Sequence, residues 1–414
     1  MASSKRIKIC KIESPAFAKY CLLRGADYLG VHALEYVESQ EKQALCQFIT
    51  EWGGKTILLT KETSPTTLQK LAAYYKPWAM QLHYSITSQA FAALQQKVPC
   101  KLIPVFTNET ELKTVEQLAQ ASPFAIYDTS FRGGTNTPHS GQHLRYLSAV
   151  LKDKILLAGG ITPTKIKTDE SGVGGYDVQS YCREQGQAHF AKAEQLFHLV
   201  KGAPQRQLSV SLTDLPKDTI EPPYIENSCL EYQLDYSVGN LYPSFSLDSQ
   251  RILQLLIQRD APFTFHIFEK KASDFQRIID QTMKYAANKI VRINVQYAPG
   301  LKMDDITTYD AMLCASLYYR DIEAYLKQYP HPHSCLSLIL PSDLTAKRQW
   351  LAVHRQLLQR LMVNECWFDR KVDPMTIKEV LKHDKSANFI VGAYVLAGWR
   401  REKEITRLLQ TYAG

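Results

Sequence analysis

Short apolar runs alternate with amphipathic segments along the first half of the chain. The apolar runs read RIKIC, DYLGVHA, KTILLT, AMQLH, KLIPVF, PFAIYD, ILLAGGI and GGYDVQSY. Segments with helical spacing separate them, and the first of these begins with Ser14 and Pro15, residue types typical of a helix start. Eight strand–helix alternations within about 200 residues predict a (β/α)8 barrel.

A second series of apolar runs follows the segment Lys201–Gln207, where glycine and proline interrupt the helical pattern. These runs read LSVSL, LEYQLDY, FTFHIF, KIVRINV, AMLCAS, CLSLIL, ECWFD and FIVGAY. The count again fits a barrel, so the pattern predicts an α/β protein with two tandem (β/α)8 TIM barrels, residues 1–202 and 203–414. A doubly wound sheet would give similar local patterns and is the alternative.

Composition places the chain among soluble globular proteins. The 414 residues are 45% hydrophobic and 22% charged, which suits two cores rather than one. The net charge of +8 is spread along the chain, and no nucleic-acid-binding motif is found. The start MASSKRIKIC has no signal peptide or membrane-length segment, and the 9 cysteines form no C-x-x-C pair. We therefore expect a cytoplasmic protein with reduced thiols and no membrane partner.

Several chemically active side chains follow the predicted strands of the first half. In a barrel the carboxyl ends of the strands carry the chemistry. The residues in this position include Cys10, His32, His83, Asp128 and Asp177. A buried cysteine is usually a small hydrophobic residue, and both histidines are expected to pack and to form hydrogen bonds rather than to catalyse.

The order of six short segments resembles phosphoribosylanthranilate isomerases. KIC, GADYLGVH, QLH, YDTSFRGGT, LLAGGITP and YDVQS occur with the spacing of that family between Arg6 and about Gly202. The resemblance implies an intramolecular oxidoreductase, an aldose–ketose isomerase of tryptophan biosynthesis. Its substrate would be a small phosphorylated aminosugar that undergoes an Amadori rearrangement.

The resemblance also implies roles for individual residues. Cys10 would be the base that removes the C2 proton, and Asp128 the acid that opens the sugar ring. A thiol has an ordinary pKa of about 8.5, which a nearby positive charge can lower, and partial burial can raise the pKa of a carboxyl. The phosphate would bind at Gly133, Gly134, Gly159, Gly160 and Ser180. No cofactor is implied for this half.

Three positions depart from the family pattern. Lys11 replaces a glycine after the strand-1 cysteine, and Tyr181 replaces a glycine in the turn after strand 8. The segment HALEYVESQEKQ after strand 2 lacks the family's arginine, which holds the anthranilate carboxylate. Arg132 is the candidate replacement, and a related substrate with a different amine is the alternative.

The second half resembles ribulose-phosphate 3-epimerases more diffusely, from about Leu208 onward. LEYQLDYSVGNLYPSFSL, FTFHIFEKKASDF and CWFDRKVDPMTI match strand-end segments of that family. Asp235, His266 and Asp369 match three of the four metal ligands, while Gln233 stands at the fourth, a histidine, and Asn294 replaces a histidine on the next strand.

This second resemblance implies a degenerate site for a divalent metal, with Zn, Fe and Mn as candidates. Two alternatives for the whole chain stay open beside a simple isomerase. One is a bifunctional enzyme whose second barrel epimerises a pentose phosphate. The other is a non-catalytic protein that binds sugar phosphates or regulates. The sequence does not define an oligomeric state.

Overall fold

Two compact units make up the chain, Met1–His189 with Gln195–Gly202 and Phe190–Glu194 with Ala203–Gly414. The computed structural model describes residues 5–131, 139, 141–169 and 171–201 of the first half, and 208–211, 230–236, 263–267, 273, 275–277, 279–280, 288–297, 306, 311–329, 336–339, 346, 349–350, 352–354, 365–367 and 389–392 of the second.

The first unit is a closed parallel barrel of eight strands in sequential order. The strands are β1 (Arg6–Ile9), β2 (Tyr28–His32), β3 (Thr56–Thr60), β4 (Ala79–Leu82), β5 (Lys101–Phe106), β6 (Ala125–Tyr127), β7 (Ile155–Leu157) and β8 (Gly175–Val178). Closure joins β1 to β8, with Lys8 beside Asp177 and Ile9 beside Val178. The (β/α)8 barrel predicted for this half is therefore confirmed.

Eight helices connect and flank these strands. They are α1 (Pro15–Leu23), α2 (Gln40–Glu51), α3 (Pro65–Tyr75), α4 (Ser88–Lys97), α5 (Leu112–Ala121), α6 (Gly141–Leu151), α7 (Pro163–Lys167) and α8 (Phe190–Lys201). Three of them begin with Ser-Pro or Thr-Pro. The hydroxyl of Ser14, for example, accepts a hydrogen bond from the backbone N–H of Phe17 at 3.2 Å, and the following proline has the backbone φ that a helix needs.

Alternate residues of the strands fill the barrel. The lower interior is a cluster of buried apolar side chains that includes Tyr28, Ile57, Ile103, Phe124 and Ile126. Toward the carboxyl ends of the strands the interior becomes polar, because Lys8 and Asp177 are buried there as well. The apolar layer seals the base of the barrel and leaves the chemistry at the other end.

A short hairpin between β8 and α8 was not predicted. Its strands are β9 (Arg183–Glu184) and β10 (Gln187–Ala188), joined by Gln185 and Gly186 with φ of 48° and 83°. Positive φ at both turn residues is the geometry of a tight hairpin turn. Because Gln-Gly is a weaker signal for such a turn than Asn-Gly, the sequence pattern did not reveal the hairpin.

The second unit contains a parallel sheet with a strand in each of the eight predicted apolar runs. These strands are β11 (Leu208–Ser211), β12 (Leu230–Tyr236), β13 (Phe263–Ile267), β14 (Ile290–Gln296), β15 (Met312–Tyr318), β16 (Leu336–Ile339), β17 (Glu365–Trp367) and β18 (Phe389–Gly392). The order is β17-β16-β15-β14-β13-β12-β11-β18, and the described residues contain no ladder that joins β17 to β18. One helix, α9 (Ile322–Gln328), follows β15.

The cysteines follow the expectation of reduced thiols only in the first unit. Its five cysteines, Cys10, Cys21, Cys46, Cys100 and Cys182, are free. In the second unit Cys314 is disulfide-bonded, so the expectation of reduced thiols throughout the chain was wrong. Spacing along the sequence does not reveal which cysteines meet in the folded protein. Within the described residues, no helix is both long and apolar enough to cross a bilayer.

Candidate active site

Cys10 lies at the carboxyl end of β1, at the mouth of the first barrel. Its backbone N–H donates to the carbonyl of Val178 on β8 at 2.7 Å, which fixes the residue to the rim. The side chain is 5% exposed, and its Sγ lies 3.4 Å from Nε2 of His32 at the end of β2. The thiol is thus held at the strand end where barrel chemistry takes place.

Burial dominates the acidity of this thiol. It raises the pKa of Cys10 to about 11, although the positive charge of Lys8 acts in the opposite direction. The negative charge of Asp177 adds to the increase in the pKa. At neutral pH the thiol is therefore mostly protonated, and the thiolate is a minor species.

A buried ion pair lies beside the thiol and was not anticipated from the sequence. Nζ of Lys8 lies 2.8 and 2.9 Å from the two carboxylate oxygens of Asp177, and the lysine side chain is 0% exposed. Burial lowers the pKa of Lys8, but Asp177 more than compensates, so that the pKa is raised. The ammonium group therefore stays charged inside the barrel.

Gly30 on β2 makes room for this arrangement. A Cβ atom placed on Gly30 would lie 2.8 Å from Sγ of Cys10 and 3.3 Å from Nζ of Lys8. Cβ atoms essentially never come as close as 2.8 Å to another heavy atom, so any larger residue here would displace the thiol. Glycine is thus required by the close packing of β2 against the two side chains.

Asp128 follows β6 on the same rim. Its backbone N–H donates to the carbonyl of Phe106 at 3.0 Å, and its Oδ1 accepts the N–H of Ser130 at 3.4 Å. Burial raises the pKa of the Asp128 carboxyl, and the negative charge of Asp177 raises it further. Asp177 therefore acts electrostatically on both Cys10 and Asp128, which places the two candidate groups around one shared carboxylate.

The glycine turn after β7 approaches Asp128 closely. Gly159 and Gly160 have φ of 80° and 61°, in the left-handed region. A Cβ atom on Gly159 would lie 3.0 Å from Oδ1 of Asp128 and 2.7 Å from Oγ1 of Thr129. Both the backbone conformation and the space therefore require glycine. The Lys165 ammonium holds the turn by donating to the Gly159 carbonyl at 2.8 Å.

The two rim histidines are neutral at physiological pH. Burial and the charges of Lys8 and Lys11 lower the pKa of His32 to about 4. Burial also lowers the pKa of His83, although the charge of Asp128 opposes this change. Nδ1 of His83 is buried and has no hydrogen-bond partner. The histidines therefore add hydrogen-bonding capacity to the mouth without adding charge.

Lys11 adopts a backbone conformation that disfavours a side chain. Its φ is 61°, in the left-handed region, at the position where the resemblance expects glycine. The loop is held from the hairpin, where Arg183 donates to the Lys11 carbonyl at 2.9 Å and also contacts Glu13. Nζ of Lys11 lies 3.7 Å from Oε1 of Glu13. The surrounding contacts thus impose a conformation that lysine itself disfavours.

Replacing Lys11 with glycine should stabilise the first unit by about 0.5–1 kcal/mol, because glycine relieves the left-handed strain at some cost in unfolded-state entropy. The partly exposed ion pair with Glu13 contributes little. Hydrogen exchange of the β1 amides measures the change. Lys76→Gly is the matched control, since Lys76 ends α3 with φ of 46°. If Lys76→Gly stabilises the first unit but Lys11→Gly destabilises it, the assignment of strain to Lys11 is contradicted.

The structure describes only some of the other residues that were predicted at or near the phosphate site. Ser180 begins a short 3-10 helix, Ser180–Cys182, directly after β8, and is exposed at the mouth. Tyr181, where the resemblance expects glycine, donates from its hydroxyl to Oε1 of Gln195 on α8 at 2.6 Å. Its ring is thus held against a helix. Gly133, Gly134 and Arg132 lie outside the described residues.

In the second unit the backbone places three predicted positions side by side. Asp235 on β12 pairs with His266 on β13, which pairs with Asn294 on β14. Gln233 pairs with Thr264 two residues earlier. Asp369 lies outside the described residues. Among the side chains that the structure describes, no group of three His, Cys, Asp or Glu residues could hold a metal ion.

Comparison with known proteins finds a family match over the first unit. Residues 7–198 match the family of N-(5'-phosphoribosyl)anthranilate (PRA) isomerases. The first unit is therefore an isomerase domain that is similar to the phosphoribosylanthranilate isomerases. The N-(5'-phosphoribosyl)anthranilate isomerase of Methanosarcina acetivorans is 23% identical to this chain, over 47% of this chain and 93% of its own length. The isomerase of the same name from Natronomonas pharaonis is 26% identical, over 39% of this chain and 79% of its own length.

Solved structures of phosphoribosylanthranilate isomerases are also similar to this chain. The enzyme from Thermus thermophilus is 20% identical, with a TM-score of 0.40, and covers 47% of this chain and 98% of its own. The family match ends at residue 198, within α8, so it does not extend to Ala203–Gly414.

The loop after β2 contains no cationic side chain where the resemblance expects one. Residues 33–39 contain no arginine or lysine. Leu34 and Val37 are exposed, and the Tyr36 hydroxyl donates to Glu38 at 2.6 Å. The backbone N–H of Tyr36 donates to Glu62 at 3.0 Å. The loop is therefore apolar and acidic where the resemblance expects a carboxylate-binding cation.

Proposed function

We propose that the isomerase domain catalyses the Amadori rearrangement of an N-aryl phosphoribosylamine, with Cys10 as the base and Asp128 as the acid. The observation that carries the proposal is the placement of both groups on one rim, each within the electrostatic reach of Asp177. This arrangement supplies one acid and one base to the same opening, which is what the rearrangement requires.

The proposed reaction moves protons in three steps. The Asp128 carboxylic acid gives its proton to the furanose ring oxygen as the bond from C1 to that oxygen breaks, which leaves an iminium ion at C1. The Cys10 thiolate then removes the proton from C2, and the electron pair neutralises the iminium to give an enaminol. Loss of the C2 hydroxyl proton and protonation of C1 yield the ketose. No cofactor takes part in these steps.

The active protonation state is a minor one. The mechanism needs a thiolate at Cys10 and a proton on Asp128, yet the thiol has the higher pKa of the two. When the base titrates above the acid, most singly protonated enzyme carries its proton on the base. The raised pKa of Asp128 and the charge of Lys8 both narrow this gap and so increase the active fraction.

The pH profile should reflect this state. Enzyme with one proton on the pair predominates between the two pKa values, so kcat/KM should be level through neutral and mildly alkaline pH. Activity should fall at low pH, where both groups are protonated, and at high pH as Cys10 loses its proton near its pKa of about 11. Steady-state rates across this range test the profile, and an activity maximum narrower than about one pH unit would contradict it.

We further propose that the phosphate binds at the Gly159–Gly160 turn, together with Gly133, Gly134 and Ser180. Gly159 and Gly160 have left-handed φ values and no side chains, so an anion can approach the backbone of this turn closely. The carbonyl of Gly159 is already bonded to Lys165, which fixes the turn and places a positive charge beside it. Both features suit a phosphate group.

The side chains of the loop after β2 bear on which amine the substrate carries. Because residues 33–39 supply no cation, the proposal is that the aryl carboxylate of anthranilate is not essential for recognition. Purified full-length protein should convert phosphoribosylanthranilate and the matching aniline derivative with kcat/KM values within about tenfold of each other. Conversion of neither would contradict the isomerase function. A preference for anthranilate above about a hundredfold would assign carboxylate binding to another cation.

For the second unit we propose a second barrel with a divalent-metal site, as a second candidate function. The specific support is the register that sets Asp235, His266 and Asn294 side by side. Asp235, His266 and Asp369, with Gln233, would hold Zn, Fe or Mn, which would stabilise an enediolate in a pentose-phosphate epimerisation.

Metal analysis tests this second proposal. Protein expressed with added Zn, Fe and Mn should retain about one equivalent of metal, and His266→Ala should lose it. The Lys5→Met variant, altered in the first barrel, is the control. Retention of no metal, or equal retention in His266→Ala, would contradict the metal site.

A further inference from the structure

Lys8 and Asp177 form a buried ion pair inside the barrel, where apolar side chains would be expected. A buried ion pair is costly to desolvate, and apolar residues of similar volume often give an equal or more stable core. Lys8 is nevertheless 0% exposed and contacts both oxygens of the Asp177 carboxylate. Packing alone therefore does not explain a lysine at this point of β1.

We propose that Lys8 is a positioning residue that stabilises the thiolate of Cys10, with Asp177 holding its ammonium group in place. The inference rests on the proposed role of Cys10 as a base. Lys8 would not touch the substrate. It would act through the thiol, by increasing the fraction of the enzyme that carries the base in its reactive form.

Strand geometry brings the two groups together. Lys8 and Cys10 are two residues apart on β1, so their side chains leave the strand on the same face. Both crowd the empty position above Gly30, where a Cβ atom would lie 2.8 Å from the sulfur and 3.3 Å from the ammonium nitrogen. The register of β1 with β8 sets Asp177 beside Lys8. Pairing with Asp177 therefore holds the ammonium group close to the thiol.

The other groups around the thiol do not provide this charge. His32, whose Nε2 lies 3.4 Å from the sulfur, has a pKa of about 4 and is neutral. Lys11 lies near Glu13, with 36% of its side chain exposed. Asp177 and Asp128 carry negative charge when ionised and oppose a thiolate. Lys8 is thus the buried cation that faces Cys10 from its own strand.

Asp177 has two opposing effects. By pairing with Lys8 it keeps the buried ammonium charged, since burial alone would lower the pKa of that lysine. Its own negative charge raises the pKa of Cys10, but the effect of Lys8 on the thiol is the larger. The pair as a whole therefore favours the thiolate. Removal of the lysine alone would leave an unpaired carboxylate that disfavours it.

Alkylation of Cys10 by iodoacetamide measures the thiolate without any substrate. The rate is followed by mass spectrometry of the Cys10 peptide from about pH 7 to about pH 10, in folded full-length protein. Lys8→Met should react at least about tenfold more slowly than wild type at each pH, and Lys8→Arg should recover most of the rate. Lys8→Met with Asp177→Asn, which leaves no unpaired charge, should be slower than wild type by about threefold.

Lys5→Met is the matched control. Lys5 immediately precedes β1 and pairs with Asp169 at 2.8 Å, so it is an ion-paired lysine at the opposite end of the strand. Its removal should leave the Cys10 rate unchanged. Circular dichroism establishes that each variant is folded, and the double variant is decisive if Lys8→Met alone does not fold.

The outcomes separate this inference from the proposed function. Slower alkylation in the Lys8 variants but not in Lys5→Met supports the inference. Alkylation within about twofold of wild type in folded Lys8→Met, or in the double variant, would overturn it. The isomerase function alone would be contradicted if the Lys8 variants are alkylated more slowly but wild-type protein converts neither phosphoribosylamine.

Discussion

Replacing Cys10 with serine is expected to lower kcat for phosphoribosylanthranilate by about 10³-fold, because a positioned general base contributes 10²–10⁴-fold and a serine hydroxyl ionises far less readily than a thiol. Serine is close in shape, and the residue is buried beside His32, so the barrel should keep its structure. The loss should appear in kcat with little change in KM, since the base acts in the chemical step.

Cys100→Ser is the control for this substitution. Cys100 is a free, half-buried thiol just before β5, at the amino ends of the strands and away from the mouth. Steady-state kinetics of both variants and of wild type give the comparison. Retention of more than about a tenth of the wild-type kcat by Cys10→Ser would remove the thiol from the mechanism.

Replacing Asp128 with asparagine is expected to lower kcat by about 10²–10³-fold. The amide keeps the shape of the side chain and can still accept the N–H of Ser130, but it has no acidic proton for the ring oxygen. The fall in activity at low pH, assigned to the raised pKa of the Asp128 carboxyl, should change in this variant. A pH–rate profile therefore reports more than the loss of rate.

Asp153→Asn is the matched carboxylate control. Asp153 is exposed in the short 3-10 helix Lys152–Lys154 before β7, at the amino ends of the strands. Its replacement should leave both kcat and the pH profile unchanged. An Asp128→Asn variant with wild-type activity would require a different acid for ring opening.

The alternating strands of the first unit could be predicted from the sequence because each strand is a short apolar run between helical segments. Helix starts such as Ser14-Pro15 could be predicted as well, since the signal is local. The same local reasoning placed Cys10 and Asp128 at strand ends. Closure of the barrel then brings these ends to one rim, as the structure shows.

The ion pair could not be predicted, because its meaning depends on which face of a strand points inward. In RIKIC the apolar residues Ile7 and Ile9 suggest a strand with its polar side toward water. In the barrel, both faces of β1 are covered, and Lys8 is as buried as the two isoleucines. Its partner Asp177 is 169 residues away, so no local pattern links them.

The left-handed conformation of Lys11 also could not be predicted from the residues alone. Lysine carries no signal for positive φ, and the contacts that impose it come from Arg183 in the unpredicted hairpin. The resemblance did indicate that the position is usually glycine. The strained loop and the hairpin are therefore one feature of the structure, and neither is visible without the other.

Turnover of phosphoribosylanthranilate that carries deuterium at C2 tests directly whether Cys10 removes the C2 proton. Wild-type protein should form the ketose more slowly from the deuterated substrate than from the unlabelled substrate, because the bond from C2 to hydrogen breaks during the reaction, while Cys10→Ser should form almost none. Equal conversion by Cys10→Ser and wild-type protein, or no conversion by wild-type protein, would contradict this role of Cys10.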